Sequence, residues 1–124
     1  MRFAGYAAVF DHPDQGGDIV RKGAFLRHTK QGLPVLWQHD AQQRIGKIDS
    51  LSEDARGLRV IASLGPGAPE VKPGQGLSFG YRVRKARQGT YRELTDLEIV
   101  EVSIVSHPMQ PLARVLAVET KDGE

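Results

Sequence analysis

The 124-residue chain has no cysteine. Disulfides, a cysteine nucleophile and thiolate metal sites are therefore excluded, and the composition suits a reducing compartment. Long apolar runs are missing as well: no stretch approaches the roughly 18 residues that a membrane helix needs. The opening MRFAGYAAVFDHPD is too short in its apolar part, and turns acidic too soon, for a signal peptide. A cytoplasmic protein without membrane contact is expected. Charge of one sign is not in excess, since 17 Lys and Arg face 15 Asp and Glu for a net +2. Charge alone thus points to no nucleic-acid partner. No internal repeat is visible, and the length supports one core. We expect one domain over residues 1–118 and a polar, disordered end at 119–124.

What is present reads mostly as strand. RFAGYAAVF alternates loosely and runs into DHPDQGGD, a loop rich in Asp, Gly and Pro. GAFLRHTKQG has helical character with Gly32 as its cap. Strands are expected at 34–38 (PVLWQ), 44–51 (RIGKIDSL) and 57–64 (GLRVIASL), the last two joined as a hairpin through SEDAR. GPGAPEVKPGQ, with three prolines and three glycines, must be irregular. A serine-bearing strand, the turn RQGT, a long strand over about 91–105, the break SHPMQP and a short strand in LARVLAV complete the chain. The expected fold is mainly β with a few short helices: a single, closed or partly closed, mostly antiparallel barrel.

Residues 76–80, GLSFG, fit the G-x-S-x-G pattern of the hydrolase nucleophile elbow. That elbow requires a helix directly after the serine. Here Leu77, Phe79, Tyr81 and Val83 alternate with Ser78, Gly80 and Arg82, which is the period of a half-buried strand. Asp96 and His107 follow in the elbow's order, but the chain is too short for a doubly wound hydrolase sheet. The elbow is therefore rejected. Ser78 remains as a candidate nucleophile on a polar strand face, beside Gly80, where a substrate backbone can approach closely.

In LEIVEVSIV, alternation places Glu101 on a face with Leu97, Ile99, Ser103 and Val105, and sets Val100, Val102 and Ile104 on the other. A carboxylate in a central strand needs a partner, because burying it alone costs several kcal/mol. That partner is either an arginine such as Arg44, Arg59 or Arg82, in a structural ion pair, or a histidine that Glu101 orients. Of the four histidines, His12 lies in a loop and His28 on the expected helix. His107 lies six residues beyond Glu101, about 20 Å along an extended strand. His39, at the end of PVLWQH on the face of Val35 and Trp37, is the better base.

The blocks VLWQHD, RIGKI, GLSFGY and EIVEVSIVSHPMQPLA, with the opening GYAAVFDHPDQGGDIVRKGAF, together resemble the prohead proteases of tailed phages and gene transfer agents. These are capsid-maturation serine proteases similar in fold to the herpesvirus assemblins. The resemblance spans residues 3 to about 118. It implies a serine endopeptidase with His39 as base, Ser78 as nucleophile and Glu101 as orienting acid, and with no metal or organic cofactor. It further implies the major capsid protein as substrate, a scaffold segment as a second candidate, weak homodimerisation, and action inside the assembling prohead in a bacterial cell. Gly80 and Arg82 are candidate substrate-binding residues. Backbone N–H groups of SHPMQP, or Arg82, are candidates for the oxyanion hole. Two rival readings are an inactive protease-like scaffold or capsid component, and a nucleic-acid-binding barrel using the run RVRKARQGTYR.

Overall fold

The computed structural model describes residues 1–27 and 32–119. Eight strands are found there: β1 (Arg2–Val9), β2 (Asp18–Val20), β3 (Pro34–Trp37), β4 (Asp40–Glu53), β5 (Gly57–Leu64), β6 (Gly76–Gln88), β7 (Arg92–Val105) and β8 (Val115–Glu119). They form one sheet in the order β2-β7-β3-β4-β5-β1-β8, with β6 also paired to β7. Most pairings are antiparallel, and β2 and β3 both run parallel to β7. Because β6 occupies one edge of β7 along most of its length, β2 and β3 share the other. The sheet is not closed by a continuous ladder. Among the described residues its ends meet at a bridge between Gly76 and Arg114, aided by the Leu77 N–H donating to the Ala113 carbonyl at 2.9 Å and by bonds of Gly74 and Gln75 with Val115, each at 2.8 Å.

The expected mainly antiparallel β fold is thus present, but among the described residues it contains no helix. The apolar pattern read as a helix after Gly23 is instead a chain of turns over residues 22–27. Gly23 stands at φ 94°, outside helical space, and the Glu53 carboxylate accepts from the N–H groups of Gly23 and Phe25 at 2.8 and 2.9 Å. Phe25 is the plug this produces, fully buried and edge-on to Phe79 at 5.4 Å. Gly32 stands at φ 78° with its N–H on the Ile48 carbonyl, and residues 28–31 of that segment, His28 included, lie outside the described residues. So do residues 120–124, and β8 reaches Glu119, one residue past the expected end of the domain.

The hairpin of β6 and β7 is the frame on which the site is built. Leu77, Phe79 and Tyr81 stand opposite Ile104, Val102 and Ile99, and this face enters the core with Phe3, Ile48 and Leu58, whereas Val83, opposite Leu97, is exposed. Each such side chain, fully buried, contributes roughly 1.5–3 kcal/mol. Between Ile99 and Glu101 the register slips by one residue, so that Val100 bulges from β7 and is left exposed. A bulge reverses which residues face inward. Leu97 and Ile99 point to the core before it, Val102 and Ile104 after it. The uninterrupted alternation expected for this strand is therefore corrected: Glu101 and Ser103 lie on the outer face, away from Leu97 and Ile99.

Candidate active site

On that outer face, residues opposite one another across an antiparallel pair point the same way. Ser78 is opposite Ser103, Gly80 opposite Glu101, and Arg82 opposite Glu98. Gly80 makes room for the carboxylate: a Cβ there would lie 2.3 Å from Glu101 Oε2. Glu101 is only 9% exposed, yet both its oxygens are used. Oε2 meets His39 Nδ1 at 2.8 Å, and Oε1 accepts from the Ser103 hydroxyl at 2.6 Å. Among the described residues no arginine pairs with it, which removes the structural ion pair as its explanation.

His39 does not end a strand. It and Gln38 form the turn between β3 and β4, with Trp37 paired to Asp40, and both stand at positive φ, 53° for Gln38 and 61° for His39. Two consecutive left-handed residues mark the type I′ hairpin turn, which usually selects Asn-Gly because other side chains are strained there. The cost, of order 1–3 kcal/mol per residue, is offset by a set of clamps. Gln38 donates its N–H to the Ile104 carbonyl at 2.9 Å, and its side chain donates to Ser106 Oγ at 2.7 Å. Ser103 Oγ accepts the His39 N–H at 3.2 Å. Ser103, fully buried, is thus bonded to the His39 backbone and to the Glu101 carboxylate while standing opposite Ser78. The sequence reading passed it over. A small hydroxyl two places from a carboxylate on a central strand was the available signal.

The loop after β7 is anchored beside Ser78. Gln110 mimics a strand partner, accepting from Val9 N–H at 2.7 Å and donating to the Val9 carbonyl at 3.1 Å. Gly76 lets the loop close in, since a Cβ there would lie 2.7 Å from Pro108 Cδ. Met109 and Gln110 line a small cavity with Ser78. His107 belongs to this loop and is not brought to Glu101. Arg82 pairs with Glu98 at 3.8 Å and is largely exposed. No cluster of His, Cys, Asp or Glu suited to a metal occurs among the described residues, and none of their helices could span a membrane.

The hydrogen bond that His39 Nδ1–H donates to Glu101 raises the His39 pKa above its ordinary 6.5, opposed by partial burial and helped by coulombic attraction. If His39 acts as a base it must be neutral, so the acid limb of the pH–rate profile is expected above the ordinary imidazole value. Stability responds with the opposite sense. A raised folded pKa adds stability in full below the unfolded value, and the gain fades as pH rises through the folded one. NMR titration of the His39 ring checks both, and a midpoint at or below 6.5 would contradict the pairing.

Residues 1–123 match the sequence model of the Caudovirus prohead serine protease family. The chain belongs to that family. Within it, the prohead protease of Enterobacteria phage HK97 is 32% identical over 138 aligned residues, covering 98% of this chain and 61% of that protein. This prohead protease family member therefore spans under two thirds of the length of that relative. A crystal structure of KSHV protease in complex with a hexapeptide phosphonate inhibitor has the same fold, with a TM-score of 0.68 at 10% identity. The match covers 96% of this chain and 65% of that one. The assemblin-like fold expected from the sequence is thus found.

Proposed function

We propose that the chain is a serine endopeptidase that cleaves N-terminal segments from a capsid protein during prohead maturation, in a tailed phage or gene transfer agent. The observation that carries this is the His39 imidazole held by the Glu101 carboxylate on the sheet face that also carries Ser78, which stands opposite Ser103 and two places along β6 from Gly80, the partner of Glu101. With Nδ1–H donated to Glu101, Nε2 is left to accept a proton from Ser78. Ser78 Oγ attacks the peptide carbonyl as His39 takes its proton, and His39 then returns it to the leaving amine. Glu101 holds the tautomer and stabilises the imidazolium. Backbone N–H groups of the loop carrying Met109 and Gln110 are the oxyanion donors in this reading.

From Phe79 onward, the outer edge of β6 carries no strand among the described residues. An extended peptide added there would run past Ser78, with main-chain hydrogen bonds giving affinity. The nucleic-acid reading gains little support, because much of the basic run is ion-paired: Arg84 with Glu98, Arg87 with Glu93 at 3.7 Å and Arg92 with Asp18 at 2.8 Å. Coexpression with the major capsid protein, followed by mass measurement of that protein's N terminus, tests the proposal. Loss of an N-terminal segment that depends on Ser78 is expected. An intact N terminus in mature particles would count for the inactive-scaffold reading.

A further inference from the structure

A cavity of about 400 Å³ lies on the side of Glu101 away from Ser78. Its walls include Pro34, Leu36 and the bulged Val100, and His39 and Arg44 also line it. The register explains the arrangement. Ser78 is opposite Ser103, Ser103 pairs with Leu36, and Leu36 is opposite Arg44, so these four form one row across β6, β7, β3 and β4. Three strand spacings separate the serine from Arg44, about 14 Å, which an extended peptide covers in about four residues. Lys47 stands opposite Pro34 on the same face.

Among the described residues, neither Arg44 nor Lys47 has an ion pair. Nearby carboxylates are otherwise engaged: Glu101 by His39 and Ser103, and Asp40 by the Gln42 N–H at 2.9 Å. A larger groove of about 620 Å³ continues beyond Arg44 to the loop carrying Gly65 and Pro66, and its lining includes no acidic residue. The surface thus runs from the base, over an apolar patch, to two cations that form no ion pair among the described residues.

The geometry points to this face as the binding site for the leaving-group side of the substrate: an apolar side chain soon after the scissile bond fills the cavity, and an acidic one three to five residues after it meets Arg44 and Lys47. The inference rests on the protease reading. Its direction follows from chemistry, because His39 must deliver a proton to the leaving amine, so the segment after the scissile bond departs across the His39 side. The peptide before the bond is left to the free edge of β6.

The test uses the Ser78→Ala full-length chain, which binds without cutting, and fluorescent peptides spanning the capsid cleavage site found by mass measurement. Two peptides differ only in Glu or Gln at the fourth residue after the bond. The Glu peptide is expected to bind about three- to tenfold more tightly at low salt, the range of exposed charge pairs, with the preference shrinking as salt rises. Adding Arg44→Gln and Lys47→Gln should bring the ratio close to one. Equal binding of the two peptides, a preference that survives loss of both cations, or no binding by either peptide overturns the inference. Labelling of the unsubstituted chain at Ser78 by a serine-directed phosphonate reports separately on the protease reading, so the two failures are distinct.

Discussion

Ser78→Ala or His39→Ala is expected to slow peptide cleavage by on the order of 10⁴-fold or more, and the double variant should be little slower than either. In the proposed mechanism the two side chains serve one event. Without the base the serine hydroxyl is a poor nucleophile, and without the nucleophile the base has nothing to activate. Neither change should unfold the chain: Ser78 loses one hydroxyl, and His39 lies in a turn whose other clamps, from Gln38 to Ile104 and Ser106, remain. Single-turnover cleavage with a melting curve on each variant provides the measurement. Losses that multiply in the double variant, or an active Ser78→Ala, would remove these residues from a shared step.

Glu101→Gln should cost about 10²- to 10⁴-fold in rate with the melting temperature little changed. The hydrogen bonds give the reason. The Ser103 hydroxyl donates to Oε1, so in the variant the amide oxygen takes that position and the NH₂ is turned toward His39 Nδ1. Nδ1 must then accept, the ring proton moves to Nε2, and the nitrogen required as base is blocked. Loss of the negative charge should also bring the acid limb of the pH profile down toward the ordinary imidazole value, because Glu101 is what raises it. A variant that unfolds yet cleaves at near-normal rate when kept cold would make Glu101 a purely structural residue.

Much of this site was legible because side-chain type and strand period are local properties. Ser78 on the polar face of a strand, and a carboxylate in a largely apolar strand, follow from alternation alone. The placement of His39 was not legible. The turn it occupies needs two left-handed residues, and Gln-His carries none of the Asn-Gly signal that announces such a turn. The bulge has no signature either, since Val100 is an ordinary strand residue whose extra place shows only in the pairing. Ser103 and Gln110 act through contacts with distant segments, Gln110 with Val9 across the fold. At three residues, β2 was too short to stand out from its loop. The turn holding Phe25 looked helical because its apolar spacing suits either structure.

The bulge at Val100 means that the outward position of the acid is fixed by parity as well as by residue type. From Ile104 back to Leu97 the core residues change from even to odd numbers, and the change falls at one extra residue. Replacing Val100 by another small side chain leaves the count intact. Removing it would join the two halves of β7 in a single alternation that keeps Leu97, Ile99, Val102 and Ile104 inward and Glu101 and Ser103 outward. A length change of one residue at this position can thus leave every facing side chain in place, so relatives in the family are best compared by spacing across this strand before identity.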